Sequence, residues 1–338
     1  MEPEALTRRR AARARERRRR QRRRRLGALG SLVLIVAVAV LVAVTALSGH
    51  PHPGRSTPRL TAAASRGVGH GRTRGRAHPR AGGAHTVRTG PRIGPPTGRP
   101  GNAVAPVLMY HVINPPPPGA PYPGLYVPRG EFLEQMLALR QAGFHPVTLD
   151  DLWANWRHGN RLPNNPIVIT FDNGYRSQYT NAMPILRRLH WTAVLNTQLT
   201  GLPPSQGGLT TGQFRGLLAA GWELDTQGIS HADLVDQDAA GLRYQIVHAR
   251  RTLQRRFHVP LHWFCYPSGQ YDATVIDAVR AAGFVGSTTV VPGWASRGDS
   301  PYALPRLRVL GGTSGSELLA QIAAARQDPV PPGSYETS

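Results

Sequence analysis

Four side chains in this 338-residue sequence have the type and setting for chemistry: His111, Asp172, Asp225 and His231. A carboxylate can take a proton from water, and an imidazole can deliver one or hold a divalent ion. Asp172 ends an apolar run, Ile167–Phe171, and is followed by Asn173, Gly174 and Tyr175. His111 closes the sequence Met109-Tyr110-His111. Asp225 precedes Gln227 by two residues, so on a strand the two would share a face, and His231 follows. Each has a plainer alternative: a loop-capping acid for Asp172, a structural histidine for His111, a solvated or helix-capping acid for Asp225. Arg306 and Arg308 are able to meet a carboxylate or lie at the surface. Trp263, Tyr266, Tyr271 and Trp294 are either ring-stacking walls of a binding groove or core.

The elements that must position these residues start near residue 104. Apolar runs predict strands at Pro106–Ile113, His145–Leu149, Ile167–Asp172, Thr192–Thr197, Trp222–Thr226, His262–Tyr266, Val285–Val290 and Leu304–Val309. Between and after them, 3.6-residue periodicity predicts helices at Pro128–Gln141, Asp150–Arg157, Ser177–Leu189, Thr211–Ala220, Ala239–Phe257, Ala273–Ala282 and Ser314–Ala325. Gly143, Gly221 and Gly283 are placed as helix C-caps. This alternation means a parallel sheet, and no Gly-rich dinucleotide fingerprint follows the first strand. The fold class is therefore α/β, and between an open doubly wound sheet and a closed (β/α) barrel the strand number and size favour the barrel, with chemistry at the C-terminal strand ends. His111, Asp172, Asp225 and Gln227 fall there.

These motifs resemble the polysaccharide deacetylases of the NodB-homology family. Ile167–Tyr175, IVITFDNGY, is similar to that family's TFDDG strand end, and Ala182–Leu186, AMPIL, to the helix after it. Pro106–Ile113, PVLMYHVI, looks like the first strand of the subgroup acting on poly-N-acetylglucosamine. Phe264–Asp272, FCYPSGQYD, looks like the loop beside the sugar groove. The resemblance implies Asp172 as catalytic base, His111 as acid, His231 as metal ligand, and Tyr266, Pro267 and Tyr271 as substrate contacts. It also implies a distorted (β/α) barrel of about seven parallel strands and a divalent ion (zinc, cobalt or nickel) that acidifies water. Two ligand positions depart from the pattern: Asn173 stands for the second Asp, and Gln227 for the first His of the H-[ST]-x-x-H motif. Amide oxygens are poor ligands for such an ion beside imidazole and carboxylate. Two readings follow: a hydrolase of N-acetylated cell-surface glycans with a rearranged site, or a catalytically inactive glycan-binding scaffold.

The remaining sequence reads as address and tether. Residues 1–25 hold 13 Arg, and residues 26–48 form an apolar run long enough to span a bilayer. The expectation is an Arg-rich cytoplasmic tail (1–25), a signal-anchor (26–48), a disordered Gly/Pro/Arg/His linker (49–103), an extracytoplasmic domain (104–325) and a flexible tail (326–338). A cleaved signal peptide ending near Ala46 and Ser48 is the rival. Partners expected are the lipid bilayer through residues 26–48 and an N-acetylated glycan or wall polymer. The net charge of +22 suggests nucleic acid at first sight, but residues 1–103 carry +20 of it and residues 104–338 only +2. A cytoplasmic nucleic-acid binder therefore ranks last. Cys265 is the single cysteine, which excludes an intrachain disulfide and a thiolate cluster.

Overall fold

The computed structural model describes residues 93–202 and 206–327. The expectations for residues 1–92, the anchor included, and for 328–338 fall outside the described residues. No helix among the described residues is long and apolar enough to cross a membrane.

The strands are β1 (Ala105–Tyr110), β2 (His145–Pro146), β3 (Pro166–Asn173), β4 (Val194–Thr197), β5 (Glu223–Thr226), β6 (Trp263–Cys265), β7 (Gly286–Thr288), β8 (Trp294–Ala295) and β9 (Leu307–Arg308). They lie in the order β7-β6-β5-β4-β3-β1-β8, with β2 added to β3 and β9 to β1. Every pairing is parallel except that of β8, an antiparallel two-residue strand the sequence pattern did not reveal. The sheet curls on itself. Leu304 bridges to Thr288 of β7, and β9 three residues later pairs with β1, so residues 304–308 tie the two ends together. This is the distorted (β/α) barrel expected.

Among the described residues seven helices pack outside: α1 (Arg129–Gln141), α2 (Leu149–His158), α3 (Met183–Arg188), α4 (Thr211–Ala219), α5 (residues 239–257), α6 (Ala273–Ala281) and α7 (Gly315–Gln327). Helix α5 is a continuous run from 239 to 257, made of Ala239–Leu242, a π-helical turn Arg243–His248, and Ala249–Phe257. Capping boxes start α2 (Thr148 with Asp151) and α4 (Thr210 with Gln213), and Asp272 caps α6. Such caps contribute about 1 kcal/mol each. Gly143, Gly221 and Gly283 follow their helices with left-handed φ, as expected of C-caps.

Strands β1, β3 and β4 are buried on both faces, and their apolar residues run together until the polar residues of the strand ends. Leu108, Tyr110, Ile169, Phe171, Leu195 and Leu224 face the helices. Val107, Val168, Val194 and Trp263 fill the barrel interior. A row of rings joins layers on the outer side: Phe132 meets Tyr110 edge-on at 5.1 Å, and Phe171 stacks on Trp222 at 4.9 Å. Each such pair adds about 0.5–1.5 kcal/mol beyond area burial.

The domain starts earlier than residue 104. Ile93 packs against the interior core, Gly94 and Gly101 donate to Arg161 and Asn155, and Trp156 Nε1 donates to the Ala103 carbonyl at 2.7 Å. The last eleven residues of the expected linker are thus held along α2 by hydrogen bonds that composition does not encode.

Candidate functional site

Asp172 sits at the top of β3 inside the barrel, 1% exposed. Its carboxylate receives a two-pronged contact from Arg306, with Nη1 to Oδ1 at 2.7 Å and Nη2 to Oδ2 at 2.8 Å. Asn196 of β4 donates a further bond to Oδ1 at 2.9 Å. Arg306 is itself fully buried and spends its other donors on the Thr289 carbonyl and Thr170 Oγ1. Burial alone would raise the Asp172 carboxyl, but Arg306 and Asn196 outweigh it and hold it at about 2. Of the two sequence alternatives for Arg306, pairing is the one found. Cys265 lies against the same pair, 3.2 Å from Arg306 Nη2, with burial pushing its thiol up to about 12.

The next residue turns away. Asn173 has φ 73° and Gly174 φ 88°, and a Cβ on Gly174 would meet Thr197 Oγ1 at 2.4 Å. Glycine is required there by both angle and space. Asn173 is among the few side chains that tolerate the left-handed region.

The expected ligand positions form an amide chain instead. The Asn173 N–H donates to Gln227 Oε1 at 3.1 Å, Asn173 Nδ2 donates to Gln198 Oε1 at 2.7 Å, and Gln198 Nε2 donates to the Thr200 carbonyl at 2.7 Å. One imidazole, His231, and two neutral amides engaged with each other's strand end stand where the resemblance calls for a carboxylate and two imidazoles. Among the described residues no group of three or more His, Cys, Asp or Glu has metal-holding geometry. The donor set does not fit the family's ion.

His111 and His231 flank Asp172. Both feel its charge, and His111 also feels His231. Burial lowers both, His111 to about 4. Its Nδ1 is buried without a hydrogen-bond partner. His231 has φ 54°, a backbone state that costs about 1–3 kcal/mol and must be imposed by its surroundings.

Two buried glutamines impose those surroundings, and no sequence motif announced them. Gln178 lies in a π-helical turn, Gln178–Ala182, and donates to the His111 and Asp172 carbonyls at 2.9 and 2.6 Å. Gln245 lies in the π-helical turn of α5. Its Oε1 accepts from the Ile229 and Ser230 N–H groups, and its Nε2 donates to Ser230 Oγ. Single π-turns recur at functional sites because the extra residue re-aims side chains. The signal in sequence was weak: a polar residue on an otherwise apolar helix face.

Other expectations need correction. Tyr266 is fully buried in the outer core, its hydroxyl donates to the Tyr302 carbonyl at 2.9 Å, and its ring stacks on Tyr271 at 4.7 Å. It offers no face to a sugar. Pro267 is buried beside it, and only Tyr271 of the three is partly exposed. Trp263 is interior core, and Trp294 is half-buried with Arg326 over its ring. Asp225 is neither solvated nor a cap. It is fully buried, accepts from the Trp263 N–H at 2.9 Å, and shares a hydrogen bond with Glu223 two residues earlier.

Comparison with known proteins agrees with this architecture. Residues 159–287 match the family described as polysaccharide deacetylase. The Bacillus subtilis protein YxkH, named for the same family, is 27% identical over 224 residues, which cover 66% of this chain and 78% of that one. Over 61 residues the chain is 43% identical to the poly-beta-1,6-N-acetyl-D-glucosamine N-deacetylase of Escherichia coli K12, 18% of this chain and 9% of that protein. In fold it is similar to the Streptococcus pyogenes deacetylase PplD, solved with acetate, at TM-score 0.61 and 23% identity, over 65% of this chain and 99% of that one. Residues 159–287, with their strand-end motifs and the barrel that carries them, thus match a polysaccharide deacetylase domain.

Proposed function

We propose that this protein is a membrane-tethered, extracytoplasmic binder of N-acetylated glycans, in which the deacetylase barrel is kept and its metal-dependent hydrolysis is lost. The observation that carries the reading is the amide chain Gln227–Asn173–Gln198. Gln227 Oε1 takes the Asn173 backbone N–H and Gln198 Oε1 takes Asn173 Nδ2, so hydrogen bonds rather than a cation link these strand ends. Glycan as the ligand class is supported by the family match over residues 159–287 and by the substrate in the name of the Escherichia coli relative. The tether rests on the apolar run 26–48 behind 13 arginines.

The test is calorimetric titration of the full chain with N-acetylglucosamine oligomers, with and without chelator, alongside an assay for released acetate. Binding that ignores the chelator, with no acetate, is the expected result. Metal-dependent acetate release would overturn it. A second reading has its own support, because His111, Asp172 and His231 lie within one another's fields. In that case Asp172 is the base, His111 the acid and His231 a ligand of a rearranged hydrolase, and Asp172→Ala abolishes the acetate signal.

A further inference from the structure

On the outer side of the barrel, α5 and the end of α6 enclose a groove of about 830 Å³. One face of α5 lines it through Arg243, Tyr244, His248 and Arg251. Tyr244 is 54% exposed, the most exposed aromatic ring on α5, and stacks on His248 with centroids 5.5 Å apart and planes at 16°. Arg250 builds the floor: Nε donates to the Leu261 carbonyl, Nη1 to the Ala282 carbonyl, and the guanidinium lies over Phe284. Arg243 and Arg251 carry no ion pair among the described residues, and no carboxylate lines the groove. A fixed aromatic platform between unpaired guanidinium groups, on a domain whose residues 104–338 are otherwise near charge balance, is local and unexplained by the candidate site.

We infer that this groove binds an anionic glycan, a chain carrying a carboxylate or phosphate on about every second sugar. Planar guanidinium groups take such anions bidentately, and the flat face of the Tyr244–His248 pair suits a sugar ring. Arg243 and Arg251 are eight residues apart, or about 12 Å along the helix. That spacing suits anions set one to every second sugar, and single-stranded DNA serves as the competing polyanion in the test. The choice of a glycan also rests on the proposed function, although the groove is separate from the Asp172 site.

The test is residue-resolved arginine footprinting of the full chain with phenylglyoxal, read by mass spectrometry, which keeps the 23 arginines of residues 1–103 out of the measurement. Hyaluronan oligosaccharides, in which a uronate alternates with an N-acetylated sugar, are the probe. Arg243 and Arg251 should be modified about fivefold more slowly in their presence, as one charge-assisted contact of roughly 1 kcal/mol implies. Tyr244→Ala, at an exposed position, should abolish that protection. Neutral chitin oligosaccharides should give none. Unprotected arginines overturn the inference, as does equal protection by anionic lipid vesicles or by single-stranded DNA. Chitin binding at the barrel mouth without hyaluronan protection would leave the proposed function standing alone. Protection at Arg243 and Arg251 with nothing bound at the mouth would do the reverse.

Discussion

Asp172 and Asp225 occupy one level of the barrel and are treated in opposite ways. Asp172 on β3 pairs in register with Asn196 on β4, and Asn196 in turn with Asp225 on β5. All three are buried at 1% exposure or less. Asp172 has a guanidinium and an amide facing it and stays ionised. Asp225 has a single backbone N–H, from Trp263, and a second acid, Glu223, as its neighbour. Burial raises both Glu223 and Asp225, and Asp150 nearby adds to the effect. Glu223 Oε1 and Asp225 Oδ2 lack any donor unless one of them is protonated. A single proton shared between them satisfies both. Burial therefore does not decide the charge state of an acid in this barrel; the partner it is given does.

The largest effect should come from removing the cation. Arg306→Met keeps much of the volume and leaves Asp172 ionised and unpaired in the interior, which should cost about 3–5 kcal/mol in denaturant unfolding. Adding Asp172→Asn to the same chain should recover most of that loss. A single-variant loss below about 1 kcal/mol would mean that Asp172 is easily hydrated or protonated, and the contrast with Asp225 would collapse.

A smaller effect belongs to Asn196. Its Nδ2 bonds the Asp172 carboxylate, while its Oδ1 already lacks a partner, so Asn196→Leu removes one charge-assisted hydrogen bond, about 1.5–3 kcal/mol. The sign in pH follows from the depressed carboxyl. Its stabilisation is full above the unfolded value of about 3.9 and is lost as pH falls through the folded value of about 2. In the Leu variant the folded value rises, so the acid loss should be smaller in total and level off at higher pH. An unmoved acid limb would assign the whole depression to Arg306.

The barrel itself was legible because its strands are buried on both faces and its helices on one, so the two periodicities alternate without interruption. Asp172 was legible because an acid ending a buried strand before Gly174 has few uses. Arg306 was not: two arginines flanking Leu307 on a short strand look like an edge exposed to water, and only barrel closure through residues 304–308 turns one of them inward. Tyr266 misled for the reverse reason, since an aromatic beside a motif loop looks available, yet its ring points into the outer core. Asp225, Gln178, Gln198 and Gln245 share one cause of illegibility. A buried polar residue is defined by a partner far away in sequence, and nothing in its local pattern names that partner.

The smallest effect is also the one of opposite sign. Asp225→Asn keeps an oxygen for the Trp263 N–H and supplies an N–H to Glu223 in place of the shared proton. For the natural pair, folded values raised above the unfolded 3.9–4.3 mean that stability is full below about pH 4 and is lost as pH climbs. The Asn variant should therefore match the parent at pH 4 and exceed it by about 1–2 kcal/mol at pH 8, roughly the worth of one unit of relieved shift. Thermal or denaturant unfolding at the two pH values measures this directly. A variant less stable than its parent at pH 8 would show that Asp225 is ionised and compensated, as Asp172 is, by a cation that reaches it. A gain equal at both pH values would instead trace the effect to packing around Trp263 and leave the shared proton without support.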